Sequence, residues 1–70
     1  MDYVVVIEQA EDGSVSASVP DLPGCVTSGD SAEEVRRLIE EAVALHLDSL
    51  RRHGETVPAS ATTVHVVHAA

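Results

Sequence analysis

Pro20-Asp21-Leu22-Pro23-Gly24-Cys25 places two prolines and a glycine in a single short stretch of an otherwise strand-like region. Proline lacks a backbone donor and fixes φ near −65°, so neither proline can sit inside a hydrogen-bonded ladder. The preceding strand must end here, with the prolines expected to hold the chain extended around Asp21 and Leu22. Just downstream, Gly29-Asp30-Ser31-Ala32-Glu33-Glu34 has the signature of a helix start. The Ser31 hydroxyl can accept from the first turn while Glu34 reaches back, a capping box, and Glu33 and Glu34 suit the positive end of the helix dipole.

Before the corner, residues 3–9 are β-branched and too few for a stable helix, which predicts a strand. Glu11-Asp12-Gly13 supplies turn chemistry. Residues 14–19 then alternate, with Val15, Ala17 and Val19 on one face and Ser14, Ser16 and Ser18 on the other, so the two strands read as a hairpin. Residues 25–28 form a short third strand. A helix follows over residues 32–53, with Arg51, Arg52 and His53 at its negative end and Gly54 ending it. Its apolar positions, from Val35 to Leu50, cover an arc of roughly 200°, wider than the ~100° stripe that one sheet requires. Val57-Pro58 marks a loop, and residues 62–67 alternate as a final strand, with Val64 and Val66 opposite Thr63, His65 and Val67. A helix between the third and fourth strands can act as a right-handed crossover that sets the last strand parallel to a neighbour such as the first.

The predicted class is therefore α+β, a βββαβ chain with one helix packed on a four-stranded mixed sheet. One helix covers one face only. Glu8 shares a face with Val4 and Val6, so Tyr3, Val5 and Ile7 are assigned to the core. Val4, Val6, Val26 and Val67 are left on the uncovered side, which predicts a second chain there and hence a homo-oligomer or a protein partner.

At 70 residues the chain is expected to be one domain, and a domain of this size buries only about 60% of the surface its unfolded form exposes. Tyr3 is its one aromatic residue, so the core must be aliphatic and base stacking is unsupported. The formal charge is −8, there is no lysine, and all four arginines fall in the predicted helix. Phosphate contacts need clustered cations, so no direct nucleic-acid partner is expected; a basic protein is a better match. The single cysteine excludes an internal disulfide and fits a reducing compartment. The apolar run over residues 3–7 is too short for a membrane span or a signal peptide, and the expected location is cytoplasmic, with no membrane partner.

No enzyme chemistry is expected. His46 and His53 lie two turns apart, about 10 Å along the helix, too far to share one zinc ion. His65 and His68 point to opposite faces, Cys25 reads as a small buried hydrophobe beside a tight turn, and neither a Gly-x-Ser-x-Gly elbow nor a phosphate-binding glycine loop occurs. The βββαβ order is similar to the first part of a ribonuclease H fold, whose chemistry needs several carboxylates around divalent ions. The middle of the first strand is Val5-Val6, and nothing brings Glu8 and Glu40 together. No catalytic, metal or cofactor site is assigned.

The hairpin with Gly13, then Ser16 to Cys25, Gly29-Asp30-Ser31, Glu33-Glu34, and on through Ala42, Leu50, Gly54 and Val57-Pro58, resembles the HicB-like antitoxin family along nearly the whole chain. The structural motif residues are Pro20, Asp21, Pro23, Gly24, Ser31 and Glu34. The resemblance implies a partial ribonuclease H-like fold and a non-enzymatic module that binds and neutralises a HicA-like toxin, a small basic ribonuclease that cleaves messenger RNA. The acidic surface would favour that encounter. Many members also carry a DNA-binding domain after this one; residues 1–70 read as a single HicB-like domain with none. The alternative is a toxin-less oligomeric scaffold or a small-ligand module. Candidate partner contacts are Val4, Val6 and Val67 on the open sheet face and Glu40 and Asp48 on the outer helix.

Overall fold

The computed structural model describes residues 2–70, in which strands β1 (Val6–Gln9), β2 (Val15–Ser18) and β3 (Val26–Gly29) precede one helix, α1 (Ala32–Arg52). The strands form a single antiparallel sheet in the order β1-β2-β3. Ile7 faces Ala17 across the first ladder, and Ala17 faces Thr27 across the second. Facing partners share a side of the sheet and successive residues alternate, so Ile7 and Ala17 lie toward the helix while Val6, Ser18 and Val26 lie on the opposite side. Val15, Ala17 and Val19 are buried, as their alternation predicts. Tyr3 packs against the same core, in keeping with the face assigned to Tyr3, Val5 and Ile7.

The proline corner is a folded turn rather than an extended link. The Leu22 amide donates to the Val19 carbonyl, the Cys25 amide to the Leu22 carbonyl, and the Val19 amide to the Cys25 carbonyl, at 3.0, 3.0 and 3.1 Å. Each proline occupies the second position of a four-residue turn, where its fixed φ is already correct. Gly24 takes φ +84 in the third position of the second turn, the conformation that a type II turn demands. The two turns drive Leu22 inward, and it is fully buried. Val19, Leu22 and Cys25 supply three of the seven buried core residues, beside Val15, Ala17, Val35 and Ile39. The corner is thus a core element.

Both ends of α1 are capped as the sequence suggests, with one change. The Glu34 amide donates to Ser31 Oγ at 3.1 Å, but the Glu34 carboxylate accepts from the Asp30 amide at 3.3 Å instead of from Ser31 itself. The reciprocal capping box is therefore displaced by one residue. At the other end the Gly54 amide donates to the Arg51 carbonyl and the Glu55 amide to the Leu50 carbonyl, with Gly54 at φ +67: a Schellman motif. The 21 residues of α1 span about 31 Å, against roughly 13 Å for a four-residue strand, so the helix must overhang the sheet.

The expected fourth strand is not formed. Residues 62–67 join no ladder, so the sheet is three-stranded and wholly antiparallel, not four-stranded and mixed. Residues 58–62 are fastened to Tyr3 and Asp21, and beyond Thr62 the chain leaves the body, with Val64, Val66 and Val67 exposed by 71%, 85% and 74%. Val67 is therefore not on the open face of the sheet.

Replacing Leu22 by alanine is expected to cost about 2–5 kcal/mol, and Gly24→Ala about 1–2 kcal/mol for forcing a side chain into positive φ. Urea unfolding followed by circular dichroism measures both. A loss below about 1 kcal/mol for Leu22→Ala would show that the corner does not anchor the core.

Candidate protein-binding surface

Between the start of the chain and α1 lies a shallow groove of about 320 Å³, lined by Asp2, Tyr3, Val5, Ile39, Glu40 and Val43. It exists because β1 is an edge strand and α1 sits chiefly over β2 and β3. Ile39 forms the buried end of the floor, Val5 and Val43 its more open walls, and the carboxylates of Asp2 and Glu40 stand among the lining groups. Val5, Val6 and Ile7 remain slightly more than one-third exposed. As an edge strand, β1 presents unpaired backbone groups along its outer side.

The five candidate contact residues do not converge. Val6 lies on the sheet face away from the helix, and by alternation Val4 does too. Glu40 borders the groove on the other side, and Asp48 lies about 12 Å farther along α1. Asp48 already forms an exposed pair with Arg52, Oδ2 to Nε at 3.0 Å. Among the described residues Glu40 has no cationic partner, whereas neighbouring Glu41 meets Arg37 at 3.8 Å. Such exposed pairs are worth at most about 1 kcal/mol, so both carboxylates remain open to an incoming cation. Val67 belongs to the projecting segment.

One long-range contact that the sequence does not announce joins the corner to the segment after α1. Asp21 Oδ2 accepts from the amides of Ala61 and Thr62 at 3.0 and 3.1 Å, and Oδ1 accepts from the Thr62 hydroxyl at 2.9 Å. The Tyr3 hydroxyl donates to the Pro58 carbonyl. The Ala61 hydrogen bond, followed by those of Thr62, holds the Asp21 carboxyl below its ordinary value despite some opposing desolvation. Asp12 is lowered in the same manner by the hydroxyl and amide of Ser14, which shape the β1–β2 turn. The Asp21 contact spans about forty positions, beyond the reach of any local pattern.

The remaining reactive residue types have structural roles or stand apart. Cys25 is buried and its thiol is pushed up by burial, the opposite of an activated nucleophile. His53 Nδ1 lies 2.7 Å from the Ser49 carbonyl and helps close the helix end. Among the described residues no three His, Cys, Asp or Glu side chains gather to hold a metal ion, and no helix is long and apolar enough to cross a membrane.

The surface thus consists of an apolar sheet edge, a groove with acidic margins and an exposed apolar segment, features suited to meeting another chain. Comparison with known proteins agrees. Residues 3–70 match the family model described as the HicB-like antitoxin of bacterial toxin–antitoxin systems. A UPF0150 protein of Thermoplasma acidophilum is 39% identical over 69 residues, covering 99% of this chain and all of its own. Antitoxin HicB 1 of Photorhabdus laumondii is 31% identical over 58 residues, 83% of this chain but 37% of that protein. An uncharacterized protein of Haemophilus phage HP1 is 38% identical over 60 residues, 86% of this chain and 44% of its own. The chain belongs to the HicB-like antitoxin family. It spans less than half the length of the last two relatives.

The sign of the Asp21 effect follows from its lowered folded-state value. Its stabilising contribution is complete above the ordinary aspartate value of 3.8 and is lost as pH falls through the folded value. Acidification below about pH 4 is therefore expected to speed amide exchange at Ala61 and Thr62 relative to α1. Asp21→Asn is expected to do so already at pH 7. Unchanged exchange in that variant would contradict the clamp.

Proposed function

We propose that this chain is a non-enzymatic antitoxin module that binds and neutralises a small basic HicA-like ribonuclease in the cytoplasm. The observation that carries this reading is the match of residues 3–70 to the antitoxin family. The charge distribution supports it: a chain of net charge −8 offers favourable encounter to a cationic partner and poor contact to nucleic acid. The toxin meets the helix side, where Glu40 and Asp48 face outward and supply the electrostatic contacts. Val4 and Val6, on the far side of the sheet, are assigned to association between copies of the chain. The four-stranded, partially ribonuclease H-like sheet is the arrangement we assign to the assembled protein, with the fourth strand added at the β1 edge.

The test pairs the purified chain with a basic HicA-like ribonuclease and measures both complex formation and messenger-RNA cleavage. Binding with loss of cleavage is expected. The double variant Glu40→Lys, Asp48→Lys is expected to lower the association rate about tenfold at low salt, with the difference shrinking as salt is added. Absence of any complex at micromolar concentrations would overturn the reading.

The buried thiol gives a further check on the absence of nucleophilic chemistry. Cys25 is expected to react with a thiol reagent at pH 8 only as fast as the protein opens, and rapidly in denaturant. Prompt labelling of the native protein would contradict its assignment as a packing residue.

A further inference from the structure

The chain has no asparagine, and of its five aspartates only Asp12 is followed by glycine. That pair carries a chemistry of its own. The amide nitrogen after an aspartate can attack the side-chain carboxyl carbon: a C–N bond forms, the amide proton and a carboxyl hydroxyl leave as water, and a five-membered succinimide results. Water then adds back across either carbonyl, so no other reactant is consumed. One of the two products is isoaspartate, equal in mass to aspartate but with the main chain routed through the β-carbon. A following glycine favours the attack because no side chain shields its nitrogen, and nothing lies within 4 Å of the place a Cβ on Gly13 would occupy. Asp12, Gly13 and Ser14 are all exposed.

The geometry of the β1–β2 turn opposes each step. Asp12 Oδ1 accepts from the Ser14 amide at 2.9 Å and from the Ser14 hydroxyl at 2.6 Å, which ties the carboxylate to the residue beyond Gly13. The Gly13 amide donates to the Ala10 carbonyl at 3.0 Å, so the proton that its nitrogen must give up is already held. Water departs readily only from a protonated carboxyl. The Ser14 hydroxyl, and after it the Ser14 amide, hold Asp12 below its ordinary value and so favour the ionised, unreactive form. The Ala10 amide closes the loop on the Ser14 carbonyl at 2.8 Å, which keeps these partners in place while the hairpin is formed.

We infer that Asp12-Gly13 is a latent isoaspartate site, held closed by Ser14 while the β1–β2 turn is formed and open to rearrangement when the turn is lost. Unfolding of the hairpin releases the Ala10, Asp12 and Ser14 bonds together, so the site passes from guarded to free in one event. The product adds a main-chain carbon inside the loop that Ala10 and Ser14 close, and the original pattern of turn bonds no longer fits it. Chains that have spent time open therefore carry a covalent mark at the β1–β2 turn, next to Val15 of the core.

The test incubates the full chain alone at pH 7, in buffer and in guanidinium chloride, and measures isoaspartate at position 12 by peptide mapping with electron-transfer fragmentation. The native chain is expected to accumulate it about tenfold more slowly than the denatured chain. Ser14→Ala is expected to raise the native rate severalfold with unchanged circular dichroism, because Ser14 is exposed, and to leave the denatured rate as it was. Ser14→Thr, which keeps the hydroxyl, is expected to restore the protection. Equal rates in the native and denatured chain, a native Ser14→Ala rate no faster than that of the parent, or a Ser14→Thr rate as fast as that of Ser14→Ala would each overturn the assignment.

Discussion

The burial of Leu22 is the constraint on which the rest of the structure depends. Two prolines and Gly24 wind the corner tightly enough to turn this side chain into the space between sheet and helix, where it has no exposed surface. Without that anchor, β2 and β3 would lose their closure at Val19 and Cys25, and Val35 and Ile39 would lose much of the surface against which α1 packs. A sheet of three short strands with one helix has little redundancy. Each large aliphatic residue therefore carries an unusual share of the stability.

The same corner organises the functional surface through its neighbour, Asp21. Leu22 points into the core while Asp21 reaches out to gather the amides of Ala61 and Thr62. One hexapeptide thus fixes both the core and the departure point of the final segment. This division of labour explains why the motif identifies a scaffold rather than a reaction: its one thiol is buried and its one carboxylate is occupied by backbone donors. The exposed features, the β1 edge, the acidic margin at Glu40 and the valines beyond Thr62, are surfaces for other chains.

Much of this was legible in the sequence where the determining forces are local. The alternation of Val15, Ala17 and Val19, the Ser31 cap and the Gly54 stop each rest on residues within a few positions, and the structure realises them. The corner was legible as a strand terminator, but its inward turn was not, because the fate of Leu22 depends on Val35 and Ile39 of a helix still to be placed. The clamp from Asp21 to Thr62 joins positions about forty apart and leaves no periodic trace. The final strand failed for a related reason. Period-two alternation reports a segment's suitability for a ladder without saying whether a neighbouring strand pairs with it. The scattered placement of Val4, Val6, Glu40, Asp48 and Val67 likewise reflects tertiary geometry that residue type does not encode.

Sheet, corner and helix are, on this account, one unit joined at Leu22. Native-state hydrogen exchange in the Leu22→Ala variant measures that unity directly, because the Val19 and Cys25 amides report on the corner and the Ile39 amide on α1. The account predicts that exchange accelerates at all three amides together. Acceleration confined to Val19 and Cys25, with Ile39 as protected as in the parent chain, would contradict it.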